Sequence, residues 1–242
     1  MAERELTVIG HLDELRRRII VALATLIGAA ILCLPFSPAI LSMLKLPARG
    51  AIERLVYFSP EEALCVYMRV SVITGIIISF PVLAYQAWAF TAPALGKDFK
   101  RYTFYFVTAS ALAFAAGCAF AFFALLPAAL TFLLNIGRGE LEPVISAARY
   151  ISFVTGFIVA CGAVFEMPLA AFFLGRTGVI NARVMRKKFK YAFVVILIAA
   201  AVITPTGDAF NMMLLTLPML ALYELSIWVV FLASKRSPRN VR

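Results

Sequence analysis

Six long apolar runs, each ended by charge, proline or a polar turn, decide what this chain can fold into. They cover about 19–34, 70–90, 102–126, 151–174, 191–203 and 210–233. About 20 apolar residues in a helix cross the roughly 30 Å hydrocarbon core of a bilayer. Hydrophobic residues make up 63% of the chain and charged ones 15%, against about 25% charged in an ordinary soluble domain. A soluble fold has nowhere to bury that much apolar surface. The expected fold class is therefore all-α: a polytopic membrane protein of six transmembrane helices in one domain over residues 1–242, with lipid as its solvent.

Composition between the runs sets the loops. Residues 36–68 mix Lys45, Arg49, Glu53, Arg54, Glu61 and Glu62 with apolar positions, which predicts a long external loop with short amphipathic helices. Ser59 is placed to cap a helix that starts at Pro60, with Glu62 three residues after the cap. Pro81 is expected to interrupt the second span and Pro127 to stop the third, leaving residues 127–150 as a second external loop. The fifth run is short, and a Thr204–Asp208 turn joins it to the sixth at a third external loop, 204–209. These two adjoining spans are read as short, in a locally thinned bilayer or a partly sheltered position.

Charge placement gives the orientation. With the N-terminus inside, 17 of the 23 basic residues fall on the inner side and six on the outer. Lys and Arg collect in loops that stay in the cytoplasm, so six spans with both termini inside satisfy the bias in every loop. The net charge of +10 thus reports topology and does not call for a nucleic-acid partner. The first run is long and lacks a small-residue exit, so it reads as a retained span rather than a cleaved signal.

No cofactor or metal is expected. The four cysteines are isolated, and His11 is the only histidine, so neither zinc-site nor dithiol spacing exists. No Ser–His or paired-Asp arrangement lies within the spans, which excludes the usual intramembrane enzymes. The carboxylates carry more information. Asp13 and Glu14 precede Arg16, Arg17 and Arg18 at the mouth of the first span. Carboxylates are mildly repelled by an anionic inner leaflet, which suggests that they serve a cationic partner. Asp98 is the only acid in the loop after Phe90. Glu166 lies inside the fourth span, where a charge costs at least about 3 kcal/mol and marks function by default. It serves either as a polar clamp to Gln86, a Thr or a Ser on a neighbouring helix, or as a contact for an incoming helix or a proton. Glu224 lies midway along the sixth span, and Asp208 marks the last outer turn.

Several of these segments together resemble the TatC family of the twin-arginine protein translocase: His11–Ile19 (HLDELRRRI), Phe80–Leu95 (FPVLAYQAWAFTAPAL), Phe165–Pro168 (FEMP), Arg186–Lys188 (RKK), and Thr204–Asp208 with Leu217–Glu224 (TPTGD and LPMLALYE). Their order and spacing, on a six-span frame, cover nearly the whole chain. The resemblance implies a receptor in the bacterial cytoplasmic (inner) membrane, not an enzyme. Such a receptor binds the twin-arginine signal peptides of folded precursors and assembles with the single-span subunits TatA and TatB in an oligomeric complex. It implies a peptide site of Glu14, Arg16, Phe90 and a second acid. The family's second acid falls at Phe99 here, so the resemblance transfers that role to Asp98, displaced by one residue and shortened by one methylene. After Asp208 the family's Ser-Gln is replaced by Asn211-Met212, and Asn211 is the candidate for the polar contact with a partner. The rival class is an ion-coupled small-solute transporter that uses Glu166 and Glu224 as a proton path, although the chain has no repeated halves.

Overall fold

The computed structural model describes residues 8–48, 55–91, 103–136, 144–204 and 208–235. Helices account for nearly all of them, and the only β pairing among the described residues is an isolated bridge between Val56 and Ser146. The helices are α1 (Val8–Cys33), α2 (Ser37–Leu44), α3 (Pro60–Thr91), α4 (Thr103–Phe120), α5 (Leu126–Ile136), α6 (Ala147–Phe165), α7 (Met167–Arg176), α8 (Ala182–Lys187), α9 (Phe189–Ile203) and α10 (Ala209–Lys235).

Five rods are long and apolar enough to cross a membrane: 10–48, 60–91, 103–136, 147–176 and 209–233. With 15 residues, α9 is the short exception, and at 1.5 Å per residue it reaches about 22 Å. The expected short fifth segment is present. The sixth is not short: α10 has 27 residues and passes through Pro218, because Asp208 starts it at the edge of the turn. The Asp208 Oδ1 accepts from the Asn211 N–H at 2.7 Å, satisfying one of the open donors of the first turn.

Other boundaries move for equally local reasons. The second rod starts at Pro60, not near residue 70, and its 32 residues run through Pro81 without a break. Its start is fixed by Glu62, which accepts the Phe58 N–H at 2.7 Å. Pro127 does not stop the third rod. A π-turn over Ala121–Leu125, closed by the Leu126 N–H on the Ala121 carbonyl, joins α4 to α5. The wider turn carries the helix past the N–H that proline lacks. In the fourth rod Pro168 has the opposite effect: α6 ends at Phe165, Glu166 forms a single turn residue, and α7 resumes at Met167. Beyond α7, Gly178 takes φ 78°, a left-handed residue of the kind that ends helices.

The rods pack antiparallel through small residues. A Cβ on Gly75 would lie 2.9 Å from the Ala30 nitrogen, and one on Gly117 would lie 2.5 Å from the Cys161 carbonyl oxygen. Close backbone approach of this kind replaces the hydrophobic drive that lipid-facing helices lack. The main core, including Val70, Phe114, Leu126, Ile151, Phe157, Ala200 and Leu215, fills one half of the bundle. At that end the segments before α3 and α6 are tied together. The Val56 N–H donates to the Ile145 carbonyl at 3.1 Å and the Ala147 N–H to the Val56 carbonyl at 2.8 Å. Glu62 Oε1 accepts from Ser146 Oγ at 2.6 Å and from the Ala148 N–H at 3.0 Å. The Tyr150 hydroxyl donates to the Leu44 carbonyl at 2.9 Å, and Arg69 hydrogen-bonds Ser152. The other half carries the start of α1, the end of α3 and the arm 176–190, and is called the basic face below. Among the described residues it holds a small core of Ala171, Ala182, Ile227 and Val230. The bundle is knotted at one end and grooved at the other.

Candidate functional site

Two features meet near the basic face. The first is a polar cleft where α1 begins and α3 ends. Residues 11–18 belong to α1 itself, so the motif rides on the same rod as the first span. Glu14 and Arg18 stand one turn apart, and Arg18 Nη2 lies 2.5 Å from Glu14 Oε1 with Nε at 3.0 Å from the same oxygen. Arg18 Nη1 also reaches Gln86 Oε1 of α3 at 3.3 Å. Next to them His11 stacks on Phe90, with ring centroids 4.4 Å apart. Asp13, Glu14, Arg17, Arg18, Val21 and Gln86 line a cleft of 530 Å³.

Glu14 and Phe90 therefore come together as a pair of elements, bridged by Arg18, Gln86 and His11. Arg16 points elsewhere: it is exposed and does not line the cleft. Asp98 lies outside the described residues. Gln86 is a correction. The sequence offered it as a clamp for Glu166, but it faces α1, because positions 83, 84, 87, 88 and 91 turn the other side of α3 towards the groove. Sequence reasoning missed Arg18 as the partner of Glu14, although the i,i+4 spacing was there to be read.

The second feature is that groove, of 570 Å³, between α3, α4 and α7. Its wall is aromatic: Trp88 stacks on Phe106 at 4.3 Å and meets Phe173 edge-on at 5.0 Å. Glu166 enters it from the break between α6 and α7. Ser110 Oγ donates to Glu166 Oε2 at 2.8 Å, while Glu166 Oε1 is buried and accepts no hydrogen bond from the described residues. A carboxyl with one satisfied oxygen beside an apolar groove holds unspent hydrogen-bonding capacity, which buried polar groups rarely keep. Ser110 was the missed partner; one hydroxyl in a run of alanines and aromatics gives little signal.

The remaining candidates lie apart from both. Asn211 is fully buried and donates from Nδ2 to Asp208 Oδ2 at 2.8 Å, so it is held within the head of α10 instead of facing outward to a partner. Glu224 is paired with Arg186 of α8 at 3.5 Å on an exposed surface and lines neither the cleft nor the groove. None of the cavities described among these residues holds both Glu166 and Glu224, which weighs against the transporter reading.

Comparison with known proteins fits this architecture. A sequence model of the family described as Sec-independent protein translocase protein (TatC) matches residues 10–218. The chain belongs to the TatC family. It is 34% identical to the Sec-independent protein translocase protein TatC of Koribacter versatilis, over all of this chain and 91% of that one. It is 37% identical to TatCd of Bacillus subtilis, over 99% of this chain and 98% of that one. The chloroplastic TATC of Arabidopsis thaliana is 35% identical over 96% of this chain and 68% of that one. A crystal structure described as the twin arginine translocase receptor TatC superposes with a TM-score of 0.84 at 35% identity, covering 93% of this chain and 99% of that one. Membership in this family, together with the five long apolar rods, makes the chain a membrane protein. Both features of the basic face fall within the matched region.

Proposed function

We propose that the chain is the signal-peptide receptor subunit of a twin-arginine translocase in the bacterial cytoplasmic membrane. In this reading α9 crosses as well, giving six spans, and the basic face is cytoplasmic with both termini on that side. The observation that carries the proposal is Glu14, held in a cleft at that face with Arg18 as its present partner. A planar guanidinium fork matches a carboxylate in a way that an ammonium does not. The paired arginines of an incoming peptide would take Arg18's place on Glu14, and Gln86 would keep Arg18 from being left bare. Asp98 supplies the second acid, and Phe90, fixed by His11, gives an apolar edge for the residues beside the arginines. The apolar stretch of the peptide then runs along the Trp88–Phe106–Phe173 groove. There, the free oxygen of Glu166 meets a polar group of the inserted hairpin or of a TatA- or TatB-type partner helix. Because α9 is short, the bilayer thins beside it and favours docking of those helices.

The test is binding of a twin-arginine signal peptide to the protein in lipid nanodiscs, beside its twin-lysine variant. A net charge-assisted bond contributes about 1.5–3 kcal/mol, so Glu14→Ala and Asp98→Ala should each weaken the twin-arginine peptide by about tenfold or more and narrow the gap between the two peptides. Equal affinity for both peptides in the unaltered protein would sink the pairing.

A further inference from the structure

A third cavity adjoins the groove, sharing Phe106 and Leu169 with it, and opens on the other side of those residues. It is an almost wholly apolar slot of 560 Å³ between α4, α7 and α10, lined by Tyr105, Ala109, Ala113, Phe172, Leu225 and Val229 among others. Its depth is limited. From Tyr105 to Ala113 is eight residues of helix, or about 12 Å, close to half of the roughly 30 Å hydrocarbon core. On the side of the fourth rod the gap closes one turn past Ala113, where Gly117 comes into backbone contact with Cys161 and Gly162, and on α10 the lining residues Leu222, Leu225 and Val229 cover a similar length. A transmembrane partner helix needs a face that runs the full depth. This slot spans one leaflet, the one at the basic face.

Charge marks the same end. Residues 176–190 carry Arg176, Arg183, Arg186, Lys187, Lys188 and Lys190 and no carboxylate. The arm is tethered to α10, since the Tyr223 hydroxyl donates to the Met185 carbonyl at 3.0 Å. Its Arg186 lies over the exposed Trp228 ring, 6.0 Å from the centroid, and Trp228 adjoins Val229 of the slot. Only Glu224 offsets this charge among the described residues of the neighbouring helices, through a single exposed pair at 3.5 Å. Cationic clusters at the inner ends of membrane helices attract anionic headgroups, and one beside an apolar slot offers both halves of a lipid site.

We infer that the slot holds one acyl chain of an anionic phospholipid from the leaflet at the basic face, with its phosphate on Arg186 and Arg176. The bound lipid fills space between α4 and α10 that no side chain occupies, and fixes the arm against α10. On the orientation proposed above this is the inner leaflet, but the site itself does not depend on the receptor reading.

Native mass spectrometry of the purified protein with added phosphatidylglycerol or phosphatidylcholine tests this. The unaltered protein should retain one phosphatidylglycerol with about tenfold preference over phosphatidylcholine. R186Q combined with R176Q, both on the exposed surface, should abolish that preference, and A109F should reduce retention of both lipids severalfold by filling the slot. A thermal melt of A109F reports its folding, and the arginine variants carry the test alone if that protein is unstable. Equal retention of the two lipids by the unaltered protein, an unchanged preference in the double arginine variant, or a second copy of the chain retained in place of lipid would each overturn the assignment.

Discussion

Glu14 is already paired before any ligand arrives, and that makes Arg18 as informative as the acid. A partly exposed i,i+4 pair is worth only about 0.3–0.5 kcal/mol, so exchange with an incoming arginine costs little. Arg18→Gln should therefore tighten twin-arginine peptide binding about two- to threefold in a fluorescence titration, whereas Glu14→Ala weakens it. Weaker binding in both variants would mean that Arg18 contacts the peptide rather than holding its place. Glu166 makes the complementary case. Glu166→Ala should leave peptide binding within about twofold and reduce transport of folded cargo into inverted vesicles by tenfold or more. Ser110→Ala, which removes the donor 2.8 Å away, should give a milder defect of the same kind. Loss of folding in Glu166→Ala would instead make the carboxyl a structural clamp. Both acids were legible in the sequence, one by its place among arginines and the other by its cost in an apolar run. Their partners were not. Arg18 was hidden among three arginines, Gln86 faces α1 because of a helical phase that no motif states, and Ser110 looked like one more small residue.

At the scale of elements, apolar length gave the rods, and local hydrogen bonding moved their ends. The start at Pro60 was readable from Ser59 and Glu62, yet charge at residues 61–69 made the first turns of α3 look like loop. Proline was the least reliable sign. Pro81 and Pro218 sit inside helices, Pro127 follows a π-turn, and Pro35 and Pro168 coincide with breaks, since the missing N–H is absorbed differently in each place. Interfaces between rods rest on small residues. Gly117→Val should push α4 from α6, and overpacking of this kind typically costs about 1–3 kcal/mol, visible as a lower unfolding midpoint in detergent. Gly156, which has nothing within 4 Å of an added Cβ, should accept alanine without loss. At the opposite end of the bundle, Glu62→Gln keeps the shape of the side chain but weakens bonds to Ser146, Ala148 and Phe58. Bonds to a charged acceptor are stronger than bonds to a neutral one, so a lower melting midpoint is expected. An unchanged midpoint would show that the Val56–Ser146 bridge suffices by itself.

For the whole molecule, orientation is what the receptor reading most depends on. Single cysteines at positions 98 and 180 should react with a membrane-impermeant maleimide only after the membrane is opened, and those at 52 and 140 should react in intact spheroplasts. The reverse pattern would place Glu14 on the wrong side for an unexported precursor. The apolar runs foresaw the five long rods and the short α9, but not how unevenly they adhere. That unevenness follows from how the rods meet: the buried Val70, Leu126, Ile151 and Phe157 lie in the half away from the basic face, while the Glu166 break and the groove open the nearer half. A set of tongs riveted at one end transmits force differently from a uniform block. Backbone amides around Ile151 and Phe157 should exchange with deuterium last, those near Leu169 and Leu225 much sooner, and a wedge driven between α3 and α7 would spread the open ends without loosening the rivet.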